Sequence, residues 1–175
     1  ATFPLSEKST RLATQIGEDR FAVTALAVKQ CEVILIATPA TAIFNIIEQM
    51  GDVTGKIIID ATNSVMKSPE PYKTVYHCLA DKTRAEIVKC FNSTGYENML
   101  DPVYGGRGID MFMAGDSEKA KAVARQLALD CGFGTCIDFG RADKVYLLEQ
   151  LALSWINLAI MQGHGRNMAF TVVNR

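Results

Sequence analysis

The sequence predicts an α/β fold: a mostly parallel sheet followed by a carboxyl-terminal helical element. Three observations carry this. The β-branched runs Val33 to Ala37 and Lys56 to Asp60 are too short for helices and too apolar for half-exposed strands, so they read as strands buried on both faces. Between them Ile43, Phe44, Ile46, Ile47 and Met50 fall at helical spacing, which makes a strand–helix–strand unit of the parallel, right-handed kind. Strands and helices then keep alternating along the chain.

The elements follow in order. Ala1-Thr2-Phe3 reads as the tail of a strand. Ser6 to Ser9 offers caps for a helix through Arg11, Leu12 and Ile16 that ends at Gly17, and Thr24 caps a brief helix ending near Gln30. Thr38-Pro39 stops the first buried strand, and Gly51 closes the helix after it. Pro69 and Pro71 keep Ala61 to Pro71 a loop; a helix then covers Tyr72 to Lys82. Glu86 to Phe91 is a third strand, ended by the turn Asn92-Ser93-Thr94-Gly95. Asp101 to Gly108 reads as a flexible loop, and Asp110 to Ala114 as a fourth strand. Ser117 caps a helix over Ala120 to Cys131, and Thr135 to Phe139 is the last strand.

From Arg141 to Met161 the chain is helical and apolar, which places it centrally in the core or in a dimer interface. Leu147, Leu148, Leu151, Trp155, Leu158 and Met161 form one stripe; Leu153, Ile156 and Ile160 lie on another side. A small sheet covers one stripe, so the second calls for a homodimer partner. The expected division is an α/β domain over 1–140 and a helical element over 141–175.

Composition narrows the function. Eighteen basic residues against 19 acidic give a net charge of -1, with no basic excess of the kind nucleic-acid binders show. The longest apolar stretch, Leu151 to Met161, falls short of a membrane span. The five cysteines form no C-x-x-C pair and sit among apolar neighbours, as buried reduced thiols of a cytoplasmic protein do. With two histidines, a metal site is not expected.

In open parallel sheets, ligands bind beyond the carboxyl ends of the strands. Three polar turns follow three strands here: Ala37-Thr38-Pro39, Asp60-Ala61-Thr62-Asn63-Ser64 and Asn92-Ser93-Thr94-Gly95. All three belong on one edge, where small side chains let a flat cofactor approach. No G-x-G-x-x-G stretch, the usual pyrophosphate cradle, is present, and Gly105-Gly106-Arg107-Gly108 does not follow a strand in the required way. Ser-His-Asp and Cys-His chemistry find no support, and Asp60, Asp101 and Asp116 read as turn and cap residues.

Several stretches together resemble the deazaflavin (coenzyme F-420)-dependent NADP oxidoreductase family. Val88 to Gly95 (V-K-C-F-N-S-T-G) is similar to its V-K-A-F-N-T-x-G stretch, and Ile36 to Pro39 and Ile59 to Asn63 resemble its middle strands and turns. Asp110 to Asp116 resembles its late strand. Leu148 to Ala152, Trp155 to Ala159 and Gln162 to Phe170 resemble its carboxyl-terminal helix. Set against the family, the chain begins at the end of the second strand, about thirty residues into the usual βαβ unit. The sheet edge and helix-packing face that this unit covers are then expected to be exposed.

The resemblance implies a Rossmann-like, doubly wound fold, with a partial NAD(P)-binding domain over 1–140 and the helical element over 141–175, and an NADPH-dependent oxidoreductase with a small-molecule redox substrate. Ser6, Lys8, Ser9 and Arg11 would hold the adenosine phosphate of NADP(H). Ala37, Thr38, Pro39, Ala61, Thr62, Asn63 and Ser93 would line the cofactor, with the nicotinamide near Thr62, Asn63 and Asn92. Asn92 and Thr94 would orient the reacting groups. Direct hydride transfer needs no nucleophile, only distance, alignment and exclusion of water. The acceptor stays open among a deazaflavin such as coenzyme F-420, a flavin, an imine and a metal chelate. Two other readings use the same residues: a non-catalytic NADPH-binding sensor or scaffold, and an interaction domain built on the last helix that binds no nucleotide.

Overall fold

The computed structural model describes residues 6–175, so the strand tail expected at Ala1-Thr2-Phe3 lies outside the described residues. Helix α1 (Glu7–Ile16) starts where the Ser6 hydroxyl accepts the Ser9 amide. Helix α2 (Thr24–Gln30) begins after Val23; Thr24 is its first residue and not its cap. Strand β1 (Val33–Ile36), helix α3 (Ile43–Met50) and strand β2 (Ile57–Asp60) form the expected unit, with β1 and β2 parallel. Helix α4 (Val75–Lys82) starts three residues later than Tyr72, where the Thr74 side chain accepts the His77 amide and fixes the first turn. Strand β3 (Glu86–Cys90) runs parallel to β2.

Beyond β3 the chain departs from the sequence reading. A short helix α5 (Tyr96–Leu100) was not expected there. The stretch read as a flexible loop is a hairpin of β4 (Val103–Tyr104) and β5 (Arg107–Gly108). Gly105 and Gly106, at φ 58 and 80, supply the left-handed turn that a two-residue hairpin needs. Strand β6 (Asp110–Ala114) pairs with β3 antiparallel; helix α6 (Glu118–Asp130) and strand β7 (Thr135–Asp138), parallel to β6, complete the sheet. Its order is β1-β2-β3-β6-β7. Because β6 and β7 run opposite to β1–β3, their starts, Asp110 and Thr135, share an edge with the carboxyl ends of β1, β2 and β3.

Side chains alternate across the sheet with the two-residue period of a strand. Ile58, Ile87 and Phe112 pack under α3, α4 and helix α7 (Val145–Ile156). Ile57, Ile59, Val88 and Met111 meet Ala120, Ala124 and Ala128 of α6 on the other face. Strand β1 is not buried on both faces: Val33 is 37% and Leu35 47% exposed. It is one of the sheet's two edge strands among the described residues, and α6 packs on that face over the inner strands β2 and β3.

The last helix buries only part of the wide stripe read from the sequence, Leu148 and Trp155 with Leu151 packed beside them. Val145, Leu148, Ala152 and Trp155 face inward, followed by Ala159, while Leu147, Ile160 and Met161 are about half exposed. The helix loosens into a π turn over Asn157–Met161, and Gly163 (φ 75) ends it. Residues 162–175 carry no regular structure, although Gln162 to Phe170 resemble the family's helix in sequence. They cross back over α5 instead. The Met168 carbonyl accepts both the Trp155 indole N–H and the Asn98 amide at 2.7 Å, and Asp110 Oδ2 accepts the Thr171 hydroxyl and the Val172 N–H. Two cysteines also depart from expectation: Cys131 is exposed and Cys31 only partly covered, although all five are free thiols.

Candidate functional site

The three polar turns do lie on one edge. Ala61 N–H donates to the Ile36 carbonyl at 2.9 Å, which joins the end of β1 to the turn after β2. That turn is joined to the next by a reciprocal clasp. Asn63 Nδ2 donates to the Asn92 carbonyl at 3.0 Å, and Asn92 Nδ2 donates to Asn63 Oδ1 at 3.1 Å. Phe91, between β3 and Asn92, takes φ 61, an unusual backbone for a bulky residue. Its ring packs edge-on to Phe133 at 6.4 Å, which holds that conformation and swings Asn92 toward Asn63.

Two side-chain oxygens on this edge, Asn92 Oδ1 and Ser64 Oγ, are buried without a hydrogen-bond partner. Buried polar atoms of this kind are rare and call for an account. Thr94 Oγ1 accepts the Asn98 amide at 2.6 Å. Ser93 points inward, its hydroxyl donating to Met111 Sδ at 3.7 Å, so this hydroxyl already has a partner inside the core. Ala37, Thr38 and Pro39 are exposed.

Beneath the 61–64 turn lies a buried charge cluster that belongs to no sequence motif named above. Lys89 Nζ donates to Glu149 Oε1 (2.6 Å), the Thr62 carbonyl (2.6 Å) and Asp60 Oδ2 (3.1 Å). Asp60 Oδ1 accepts the Thr62 N–H and hydroxyl, and Glu149 Oε2 accepts the Ser64 N–H at 3.0 Å. Asp60 is therefore a turn residue, as read, and also half of a buried ion pair. Burial pushes the Glu149 carboxyl above its ordinary range, against the pull of the neighbouring Lys89 ammonium. A signal was present: Lys89 interrupts the apolar run Ile87 to Phe91, and Glu149 the apolar helix, and a charge in such a place requires a partner.

The residues expected at the adenosine phosphate are only partly gathered. A cleft of about 480 Å³ beside β1 brings Ser9 together with Thr38, Pro39 and Asn45. Ser6 is occupied as the α1 cap, and Lys8 and Arg11 stand on the exposed surface of α1, Arg11 paired with Glu7. Among the described residues, no three His, Cys, Asp or Glu side chains are grouped to hold a metal ion, and no helix is long and apolar enough to cross a membrane.

Comparison with known proteins agrees with this architecture. Residues 3–64 match the family described as NADP oxidoreductase, coenzyme F420-dependent, which bears out the resemblance over that stretch; the other stretches likened to the family lie beyond it. No curated protein matches the chain. A solved structure assigned as an F420-dependent NADP reductase from Arthrobacter is similar at 24% identity and TM-score 0.75, over 87% of this chain and 74% of that one. A Sinorhizobium meliloti protein of unassigned function is similar at 22% identity and TM-score 0.65, over 95% of this chain and 78% of its own. The Aspergillus terreus reductive aminase, solved with NADPH, is similar at 15% identity and TM-score 0.61; 89% of this chain covers 52% of the aminase. At these identities the likeness is one of fold, and the fold is Rossmann-like.

Proposed function

We propose that the protein is an NADP-dependent oxidoreductase that binds its coenzyme along the carboxyl edge of β1, β2 and β3. The observation that carries this reading is the Asn63–Asn92 clasp, with two orphaned oxygens, Asn92 Oδ1 and Ser64 Oγ, on the turns it joins. A nicotinamide carboxamide has a donor and an acceptor to satisfy them, so the residues present fit the nicotinamide end of the coenzyme. The family match over 3–64 and the NADPH held by the reductive aminase of similar fold support the choice of coenzyme. No G-x-G-x-x-G stretch stands within these 175 residues, and the clasp speaks for the nicotinamide end of the coenzyme.

When bound, NADPH supplies a hydride, and the second redox partner is a deazaflavin such as coenzyme F-420, or a flavin. The chain's own part is positional. Asn92, held by Asn63 and aimed by Phe91, orients the nicotinamide amide, while Thr94, fixed by Asn98, stands next along the turn toward the acceptor. Ser9 with Thr38 and Pro39 borders the ribose side, and Lys8 and Arg11 serve the adenosine phosphate. The half-exposed Tyr146, Leu147, Ile160 and Met161 suit a homodimer contact, which light scattering at micromolar concentration tests; free thiols suit a cytoplasmic setting.

Anaerobic stopped-flow mixing of the protein, NADPH and coenzyme F-420 or FMN tests the function. Oxidation of NADPH matched by reduction of the acceptor is expected. NADPH binding with no turnover on any acceptor would favour the sensor reading, and no binding at all would remove both.

A further inference from the structure

The function described above needs no buried charge, yet the most enclosed side chains next to the candidate site are charged. Asp60 and Lys89 are 0% exposed and Glu149 1%. A buried ion cluster is a poor source of stability: apolar residues of similar volume often serve as well or better. What apolar side chains cannot do is bind backbone. This cluster binds three backbone groups of the 61–64 turn: the Thr62 carbonyl through Lys89, the Thr62 N–H through Asp60 and the Ser64 N–H through Glu149. Past Ala61, whose N–H still reaches the Ile36 carbonyl of β1, that turn carries no regular structure. Asn63, held between those anchored residues, makes the clasp to Asn92.

We propose that Lys89 and Glu149 are positioning residues: they hold the 61–64 turn from beneath, tie it to α7, and thereby set where Asn63 and Asn92 meet the nicotinamide. This rests on the coenzyme reading above. The division of labour at Glu149 makes it testable. One oxygen serves Lys89 and the other serves Ser64. A glutamine replaces one of these two acceptor oxygens by an NH2, which sets a donor against either Lys89 or Ser64. Glu149→Asp keeps two acceptors on a stem one methylene shorter.

Glu149→Gln is compared with the unchanged protein by amide hydrogen exchange, NADPH titration and single-turnover hydride transfer to coenzyme F-420. All three are run well below the variant's own melting temperature. The Ser64 amide should exchange at least tenfold faster while β2 and β3 stay protected. Hydride transfer should slow at least tenfold, with NADPH affinity changing less than threefold, and Glu149→Asp should recover part of both. If Glu149→Gln does not fold, Glu149→Asp takes its place: all three charges are kept, the shorter stem draws back from the Ser64 N–H, and a smaller effect of the same sign on exchange and rate is expected. Unchanged Ser64 exchange, or an unchanged transfer rate in an active background, overturns this inference alone. An unchanged protein that transfers no hydride overturns the functional reading and this one with it.

Discussion

Removing Lys89 probes the cluster most severely. Lys89→Met keeps the length of the side chain and deletes the ammonium that bonds Glu149, Thr62 and Asp60 at 2.6, 2.6 and 3.1 Å. Taken singly at about 1.5–3 kcal/mol each, three charged bonds would exceed the margin of many domains. They do not add, because an abandoned carboxylate can take up a proton. Removing one partner of a buried pair costs about 3–5 kcal/mol, and that is the loss expected at neutral pH. With a urea slope of about 2 kcal/mol per M, the unfolding midpoint should fall by roughly 2 M. The sign with pH follows from Glu149, which faces Lys89 from α7 and shares it with Asp60 of β2. Its carboxyl is already raised in the folded protein, and without the ammonium it rises further. A group whose folded value lies above the unfolded one favours the folded state below the unfolded value, and that favour is lost as pH climbs through the folded value. The deficit of Lys89→Met should therefore be smallest in mild acid, about pH 4.5, and largest at neutral pH. Urea unfolding at both pH values measures it. A deficit under about 1 kcal/mol, or one that is flat with pH, would refute the reasoning, since an unpaired buried carboxylate cannot be that cheap.

Three further outcomes are expected. Lys8→Ala should weaken NADPH about tenfold or more and leave NADH unchanged in calorimetry, as loss of one charge-assisted phosphate contact does; equal loss for both nucleotides would remove Lys8 from the phosphate site. Asn92→Ala should cut the hydride-transfer rate by about tenfold to a hundredfold with a smaller change in NADPH affinity, because misorientation falls on the chemical step; unchanged turnover would make Asn92 a turn residue only. Cys90 and Cys136 should resist oxidation to a disulfide although their sulfurs are 3.9 Å apart. They sit on strands separated by β6, so at about 4.8 Å per strand their Cα atoms are well beyond the roughly 7 Å that a disulfide spans. Mass spectrometry after mild oxidation should find both thiols, with the exposed Cys131 modified first.

The parts of the molecule legible in the sequence are those set by local pattern. β2 and β3 are apolar runs bounded by polar turns, and capping residues mark α1 and α6. The edge that gathers the three turns followed from parallel topology alone. What did not show was set by distant partners. The Asn63–Asn92 clasp joins residues 29 positions apart, and Glu149 reaches Ser64 across 85. Neither spacing leaves a periodic trace. The last helix misled for a related reason: its apolar residues run all round, so periodicity could not tell that Ala152 and Ala159 face the core while Leu147 does not. The hairpin at Gly105-Gly106 was in principle readable, because two adjacent glycines between short extended pairs are a turn signal.

Placement of the coenzyme on the carboxyl edge of β1–β3 is tested most directly by backbone amide shifts in a labelled sample titrated with NADPH. The resonances of Thr38, Thr62, Asn63, Ser64, Asn92 and Thr94 should move together with a single dissociation constant, and those of the opposite edge, such as Thr54 and Arg84, should stay in place. Shifts confined to the opposite edge, or a spectrum unchanged at millimolar NADPH, would contradict the account.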